Sequence, residues 1–154
     1  MWTSGASKGA SYVKAARHHI DLATAASDMD EPLPAWFDFF NSSRLHTFAG
    51  YAALTVGDHD AAAEHLTTAL NSLGPAGAKQ RSVVLANLAS THPDDGDRVA
   101  TYLHQAIDAL NTDWYDAGAD RVRTARATLG HSLAGNQLDE RLLTLTASPR
   151  ALPA

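Results

Sequence analysis

The 154-residue chain contains no cysteine, so it can form neither a disulfide bridge nor a thiolate metal site, and it has no cysteine nucleophile. Long apolar runs are also missing: none approaches the roughly 20 residues of a membrane span, and residues 1–10 lack the apolar core of a secretory signal. Basic residues are in the minority, with a formal net charge of −5 at pH 7, whereas binding to a phosphate backbone requires a basic patch. We therefore expect a soluble, cytoplasmic protein that itself contacts neither a membrane nor nucleic acid.

Sequence motifs for catalysis or metal binding are equally scarce. The chain has no G-x-S-x-G elbow and no glycine loop that could hold a phosphate. Its eight histidines show no metal-ligand spacing. The acidic run at 94–97 lacks the alternating ligands of a calcium loop, and Gln105 stands where a bidentate Glu would be needed. We predict that the protein is not an enzyme and has no cofactor and no metal site.

The chain does contain an internal repeat: residues 44–73 return as residues 81–110, at an offset of 37 residues. Each copy has two apolar stripes at helical spacing with a short polar break between them. This pattern is typical of an antiparallel helix pair that stacks on its neighbours. The eleven matched pairs are Arg44/Arg81, Phe48/Leu85, Ala49/Ala86, Tyr51/Leu88, Ala52/Ala89, Asp60/Asp97, Ala62/Val99, Leu66/Leu103, Ala69/Ala106, Leu70/Ile107 and Leu73/Leu110.

Capping and breaking residues give the expected bounds of these helices. In the first repeat we predict one helix over about 37–56, closed by Gly57, and a second through Ala62 to Leu73, with Asp58 and Asp60 as candidate N-caps. In the second repeat the corresponding helices run over about 78–91 and on to Leu110, with a cap from 94–97.

Two less regular segments flank the repeats. A helix over about 11–26 matches the second helix of a repeat whose first helix is absent. After Trp114 and Tyr115 the repeat is degenerate, as in a capping unit. There we expect one helix face through Val122, Ala125, Leu129 and Leu133, and another through Leu138, Leu142 and Leu145.

The predicted fold is all-α, an antiparallel helix-pair array of about seven helices that forms a right-handed superhelix. We expect a disordered leader over residues 1–10, one repeat domain over 11–147 and a flexible tail over 148–154.

The first repeat resembles the tetratricopeptide family. Its signature small and bulky residues fall at Gly50, Gly57, Ala62, Leu66 and Ala69, whereas His46 replaces the family's early Trp. More narrowly, the run PAWFDFFNSSRLHTFAGYAALTVG, then QRSVVLANLA and the HQAIDAL helix, is similar to the C-terminal region of actinobacterial helix-turn-helix regulators of the Xre type. That resemblance implies a tetratricopeptide-like domain that senses ligands, peptides or partner proteins and forms a homodimer. DNA would be reached only through a helix-turn-helix domain, which is missing here.

The candidate binding residues centre on an arginine column, formed by Arg44, Arg81 and one of Arg121, Arg123 and Arg126. In a tetratricopeptide stack these first helices line a concave groove, where a guanidinium fork can hold a carboxylate or phosphate. We assign the ligand- or partner-binding groove to Arg44, Tyr51, Arg81, Asn87, Arg123 and Trp36. In the alternative interpretation each arginine pairs with a neighbouring acid, such as Asp38 or Asp120, and only ties helices together.

The aromatic cluster Trp36, Phe37, Phe39 and Phe40 also has two interpretations. If one side is exposed, it can form an apolar pocket or a dimer patch. Otherwise it fills the gap where the connection crosses the first full repeat.

The resemblance, together with the arginine column, implies a non-catalytic regulatory interaction module, the sensing C-terminal part of a transcriptional regulator. Its partner would be a protein, a peptide or a small anionic ligand. The alternative is a scaffold or oligomerisation domain without a small ligand. That alternative predicts arginines that are all paired internally and a large apolar patch, because the missing partner of the first helix leaves an apolar side uncovered.

Overall fold

The computed structural model describes residues 14–15, 17–22, 25 and 42–147, and in that part of the chain all regular secondary structure is helical. The protein is therefore all-α, as predicted. Residues 14–15, 17–22 and 25 are helical. The later elements are α1 (Ser42–Thr55), α2 (His59–Ser72), α3 (Ala78–Ser90), α4 (Gly96–Thr112), α5 (Asp116–Arg126), a 3₁₀ turn (Ala127–Leu129) and α6 (Leu133–Ala147).

Several predicted features lie outside the described residues. They are the leader over 1–10, the tail over 148–154, the segment 26–41 with its aromatic cluster, and the predicted start of the first repeat helix near Phe37.

The chain divides into two compact units, residues 1–72 and 73–154. In the first unit α1 packs against α2. In the second unit α3 and α4 form the next helix pair, α5 packs against both of them, and α6 packs against α4. The helix pairs of the repeat are thus present in each unit, and the right-handed superhelix stays a prediction.

The turn between α1 and α2 follows from two adjacent residues. Gly57 has a φ of 78°, a left-handed conformation that glycine adopts without steric cost. Its N–H donates to the carbonyl of Leu54 at 3.0 Å, and the N–H of Asp58 donates to that of Ala53 at 2.9 Å, the two bonds of a Schellman motif. The Asp58 carboxylate then accepts from the N–H of Ala61 at 3.2 Å and caps α2, as predicted.

Small residues bring α1 and α2 close together. Ala62, Leu66 and Ala69 of α2 are all 0% exposed, and Gly50 of α1 lies against Leu66. A Cβ atom at Gly50 would come within 2.4 Å of the Leu66 Cγ. Only glycine fits this position at the present helix spacing.

In the second unit α3 is the central helix. Eight of its residues are buried, whereas three residues of α1 are, because α3 packs against both α4 and α5. The following helix, α4, starts at a side-chain cap, since Asp95 accepts from the N–H of Arg98 at 3.1 Å. This cap falls within the predicted segment 94–97.

The last part of the chain corrects one prediction. The expected continuous helix face from Val122 to Leu133 does not exist, because α5 ends at Arg126 and a 3₁₀ turn follows it. Gly130, with a φ of 54°, then separates that turn from α6. As a result Leu133 is 76% exposed at the start of α6.

The second face predicted for the last unit is present in α6. Leu138 is 0% exposed and Leu142 is 7% exposed. The helix is capped by Ser132, whose hydroxyl accepts from the N–H of Gly135 at 3.1 Å.

Candidate functional site

Among the described residues of the first unit, the most exposed large apolar side chain is Phe48 of α1, which is part of an apolar surface on that helix. We call it the α1 face and define it as Leu45, Phe48, Tyr51 and Ala52. Phe48 is 65% exposed and Tyr51 is 42% exposed. Together with His19 and Ile20 of the N-terminal helical residues, these side chains line an open groove of about 450 Å³. A surface of this kind is typical of a protein interaction site.

The equivalent surface of the next repeat is buried. Leu85 and Leu88 of α3, which match Phe48 and Tyr51 of the α1 face, are 2% and 1% exposed. They belong to a helix that packs against two others in its own unit. The same repeat position is therefore core in the second unit and surface in the first.

The predicted arginine column is distributed over both units, and its members have partners within the chain. Arg81 donates to the carbonyls of Leu73 and Gly74, both at 3.3 Å. Arg123 donates to Asp120 at 2.9 Å. Arg44 and Arg121 also take part in interactions within the protein. These contacts agree with the interpretation in which the arginines tie segments of the chain together.

The other three predicted groove residues have different environments. Tyr51 belongs to the exposed α1 face. Asn87 is only 4% exposed, so its amide lies inside the second unit and offers little surface to a peptide. Trp36 lies outside the described residues.

A second groove, between α4 and α6, was not predicted. It has a volume of about 590 Å³, within the range of small-molecule sites. Arg141 lines this groove and bridges the two helices: it donates to the carbonyl of His104 at 3.2 Å, to the Nδ1 of His104 at 2.9 Å and to Asp108 at 2.5 Å. The groove is lined by His104, Ile107, Asn111, Gln137, Glu140, Arg141, Thr144 and Leu145.

The arrangement fixes the state of His104. An arginine can only donate hydrogen bonds, so the Nδ1 of His104 must be the acceptor and its proton must be on Nε2. Burial, and secondly the Arg141 cation, lower the pKa of His104 from its ordinary value of 6.5, while Asp108 opposes the shift. The imidazole is thus held neutral and presents an N–H donor.

The patterns in the sequence did not single out this bridge. His104 and Arg141 are 37 residues apart. The apolar face predicted for α6 through Leu138 and Leu142 does not show which residue of α4 lies beside Arg141.

A pair of histidines lies between α1 and α2. The Nδ1 atoms of His46 and His65 are 3.1 Å apart, and the ring centroids are 5.4 Å apart. The two nitrogens thus lie nearly in line between the rings, as in an N–H···N hydrogen bond. Within the described residues no group of three histidine or carboxylate side chains could hold a metal ion.

The described helices include none that is both long and apolar enough to cross a bilayer. No protein-family model, no curated protein and no solved structure matches the chain.

Proposed function

We propose that the protein is a non-catalytic interaction module that associates with a second copy of itself through the α1 face. One observation carries this proposal: Phe48 and Tyr51 are exposed on α1, although the residues that match them on α3 are buried. Covering a fully exposed side chain of this size contributes about 1.5–3 kcal/mol, and a two-fold dimer covers Phe48 and Tyr51 of both copies.

The repeat supports a second copy as the occupant. In the second unit α5, the first helix of the last repeat, packs against α3, the first helix of the preceding repeat. Two successive first helices of this series therefore pack on one another within the second unit. The α1 helix belongs to the same series, so the α1 helix of a second copy is a matched partner. A face that meets its own copy gives a closed, two-fold dimer.

The internal pairing of the arginines favours an interaction module and disfavours the predicted anion-binding groove. Arg81, Arg123 and Arg126 donate to carbonyls and carboxylates of the same unit. A ligand must compete with these internal partners for the guanidinium, which weakens its binding. Internal arginine pairs and an exposed apolar patch are the two features expected of a scaffold or oligomerisation domain.

A regulatory role in the cytoplasm is the second candidate, and the groove between α4 and α6 favours it. In a regulator of the kind that the sequence resembles, the dimer would hold two DNA-reading domains together. A ligand would act only if it bound one state of the dimer better than another.

The test is the molar mass in solution, measured by light scattering over a range of concentrations. We expect the wild type to be a dimer at micromolar concentrations and the Phe48→Ser/Tyr51→Ser variant to be a monomer. Leu133→Ser is the matched control, because Leu133 is 76% exposed on α6 and lies outside the α1 face. A monomeric wild type at high concentration, or a double variant that still dimerises, would contradict the proposal.

A further inference from the structure

The groove between α4 and α6 has the dimensions of a small ligand site. From His104 to Asn111 it follows α4 for seven residues, a length of about 10 Å at 1.5 Å per residue. Ile107 and Leu145 supply apolar lining, and Asn111 and Gln137 supply amides. All of these residues belong to the second unit, so an inference about the groove is independent of association through the α1 face.

Arg141 is held in this groove mainly from one side. Its Nη1 group donates to the carbonyl and the ring of His104, and its Nη2 group donates to Asp108. These three contacts leave two of the five N–H donors of a guanidinium for other acceptors. The bonds to His104 keep the guanidinium in place whether or not Asp108 is bound.

The bond between Arg141 and Asp108 is the exchangeable one. The side chain of Asp108 is 67% exposed and that of Arg141 is 38% exposed. An ion pair this accessible to water contributes only about 0–1 kcal/mol. Another carboxylate can therefore take the place of Asp108 at little cost, while Asp108 turns into solvent.

The neighbouring arginine pair shows what a fixed contact looks like in this protein. Arg126 donates to both oxygens of Asp139, each at 2.8 Å, and its side chain is only 16% exposed. Gly135 lies so close to its guanidinium that an added Cβ would approach it to 2.8 Å. Arg126 is thus largely buried and makes two bonds to its carboxylate partner. Arg141 lies in an open groove and makes one bond to a carboxylate that is itself exposed.

From this geometry we infer that Arg141 binds the carboxylate of a ligand with a short apolar body, in exchange for Asp108. His104, which lines the same groove, holds the guanidinium in place, and Ile107 and Leu145 receive the apolar part. Such a ligand is either a small organic acid or the free carboxyl end of a peptide.

Titrations followed by ¹H–¹⁵N NMR distinguish these sources. The probes are hexanoate and N-acetyl-Leu-Leu with a free carboxylate, each compared with its amide. We expect at least one acid to shift the amide signals of residues 104–111 and 137–145, and its amide to bind about tenfold more weakly. A response to hexanoate alone indicates a small organic acid, and a response to the peptide alone indicates a chain end.

Three variants test the exchange at Arg141. Arg141→Gln should abolish the response. Asp108→Asn should strengthen binding about two- to fivefold, because the competing carboxylate is gone. A loosened α6 would also abolish binding in Arg141→Gln, but it would not produce this gain. Arg123→Gln, at an exposed position of α5 outside the groove, should bind like the wild type.

The inference is overturned if neither acid binds at several millimolar, or if the amides bind as well as the acids. It is also overturned if Arg141→Gln keeps the wild-type response, if Arg123→Gln loses as much, or if Asp108→Asn brings no gain.

Discussion

Phe48 and Leu85 occupy the same position in consecutive repeats, yet Phe48 is 65% exposed and Leu85 is 2% exposed. Their contribution to the stability of the isolated chain should differ accordingly. Leu85→Ala leaves a cavity in the second unit and should lower the free energy of unfolding by about 2–5 kcal/mol. Phe48→Ala should lower it by less than about 0.5 kcal/mol. Urea unfolding at a concentration at which the protein is monomeric measures both. A comparable loss in the two variants would show that Phe48 is core in solution.

Gly50 should not tolerate a side chain, although it lies inside a helix. Alanine has the better helix propensity by about 1 kcal/mol. Its Cβ would, however, lie 2.4 Å from the Leu66 Cγ and 3.3 Å from the backbone oxygen of Ala62, and such overpacking costs about 1–3 kcal/mol. We expect Gly50→Ala to lower the melting temperature. Gly74→Ala is the control, since a Cβ there meets no atom within 4 Å; it should be neutral, and an unchanged Gly50→Ala would mean that α1 and α2 are more loosely packed.

The helix pairs and their caps could be predicted from local chemistry. A helix that ends before Gly57 and restarts at Asp58 needs only the left-handed preference of glycine and an oxygen acceptor for exposed N–H groups. The cap at Asp95 follows from the same reasoning. The all-α fold follows from the 3.6-residue spacing of the apolar residues.

The break near Gly130 could not be read in the same way, because the apolar spacing from Val122 to Leu133 continues across it. What interrupts the helix is a backbone conformation, a φ of 54° at Gly130, and a glycine within a periodic pattern does not reveal its dihedral angles.

The candidate sites depend on packing that a single sequence does not contain. The pairing of Arg123 with Asp120 was foreseeable, since the two residues are three apart on one helix. The partners of Arg126 and Arg141 lie on other helices, 13 and 33 residues away. Similarly, the repeat shows that Phe48 and Leu85 occupy equivalent positions, but it does not show that Leu85 is buried and Phe48 is exposed.

The Arg126–Asp139 pair should stabilise the second unit more than the Arg123–Asp120 pair does. The Arg126 side chain is 16% exposed and makes two bonds to its partner, whereas the Arg123 side chain is 52% exposed and makes one. Asp139 is half exposed, which screens part of the interaction. We expect Arg126→Ala to cost about 1–2 kcal/mol and Arg123→Ala less than about 0.5 kcal/mol.

A double-mutant cycle isolates the Arg126 contact. If Arg126 acts through Asp139, Arg126→Ala and Asp139→Asn together should cost less than the sum of the single variants. Additive losses would instead assign the effect to the packing of the Arg126 side chain against Gly135.

The stability of the second unit should depend on pH through His104. Burial and the Arg141 cation lower its pKa below 6.5 in the folded protein. Between the folded and the unfolded pKa the unfolded chain binds more protons, so the free energy of unfolding rises with pH in that window. The contribution of His104 is therefore fully present above about pH 6.5 and is lost as the pH falls through the lowered, folded-state pKa.

Two measurements check this dependence. Urea unfolding between about pH 5 and pH 8 should show a smaller loss toward acid in His104→Gln than in the wild type, because glutamine does not titrate. NMR titration of the imidazole should give a still lower pKa in Asp108→Asn, since Asp108 raises it, and a higher pKa in Arg141→Gln, since Arg141 lowers it. Equal pH profiles for the wild type and His104→Gln would mean that folding does not lower the pKa of His104, and that burial and Arg141 do not act on its imidazole as the structure indicates.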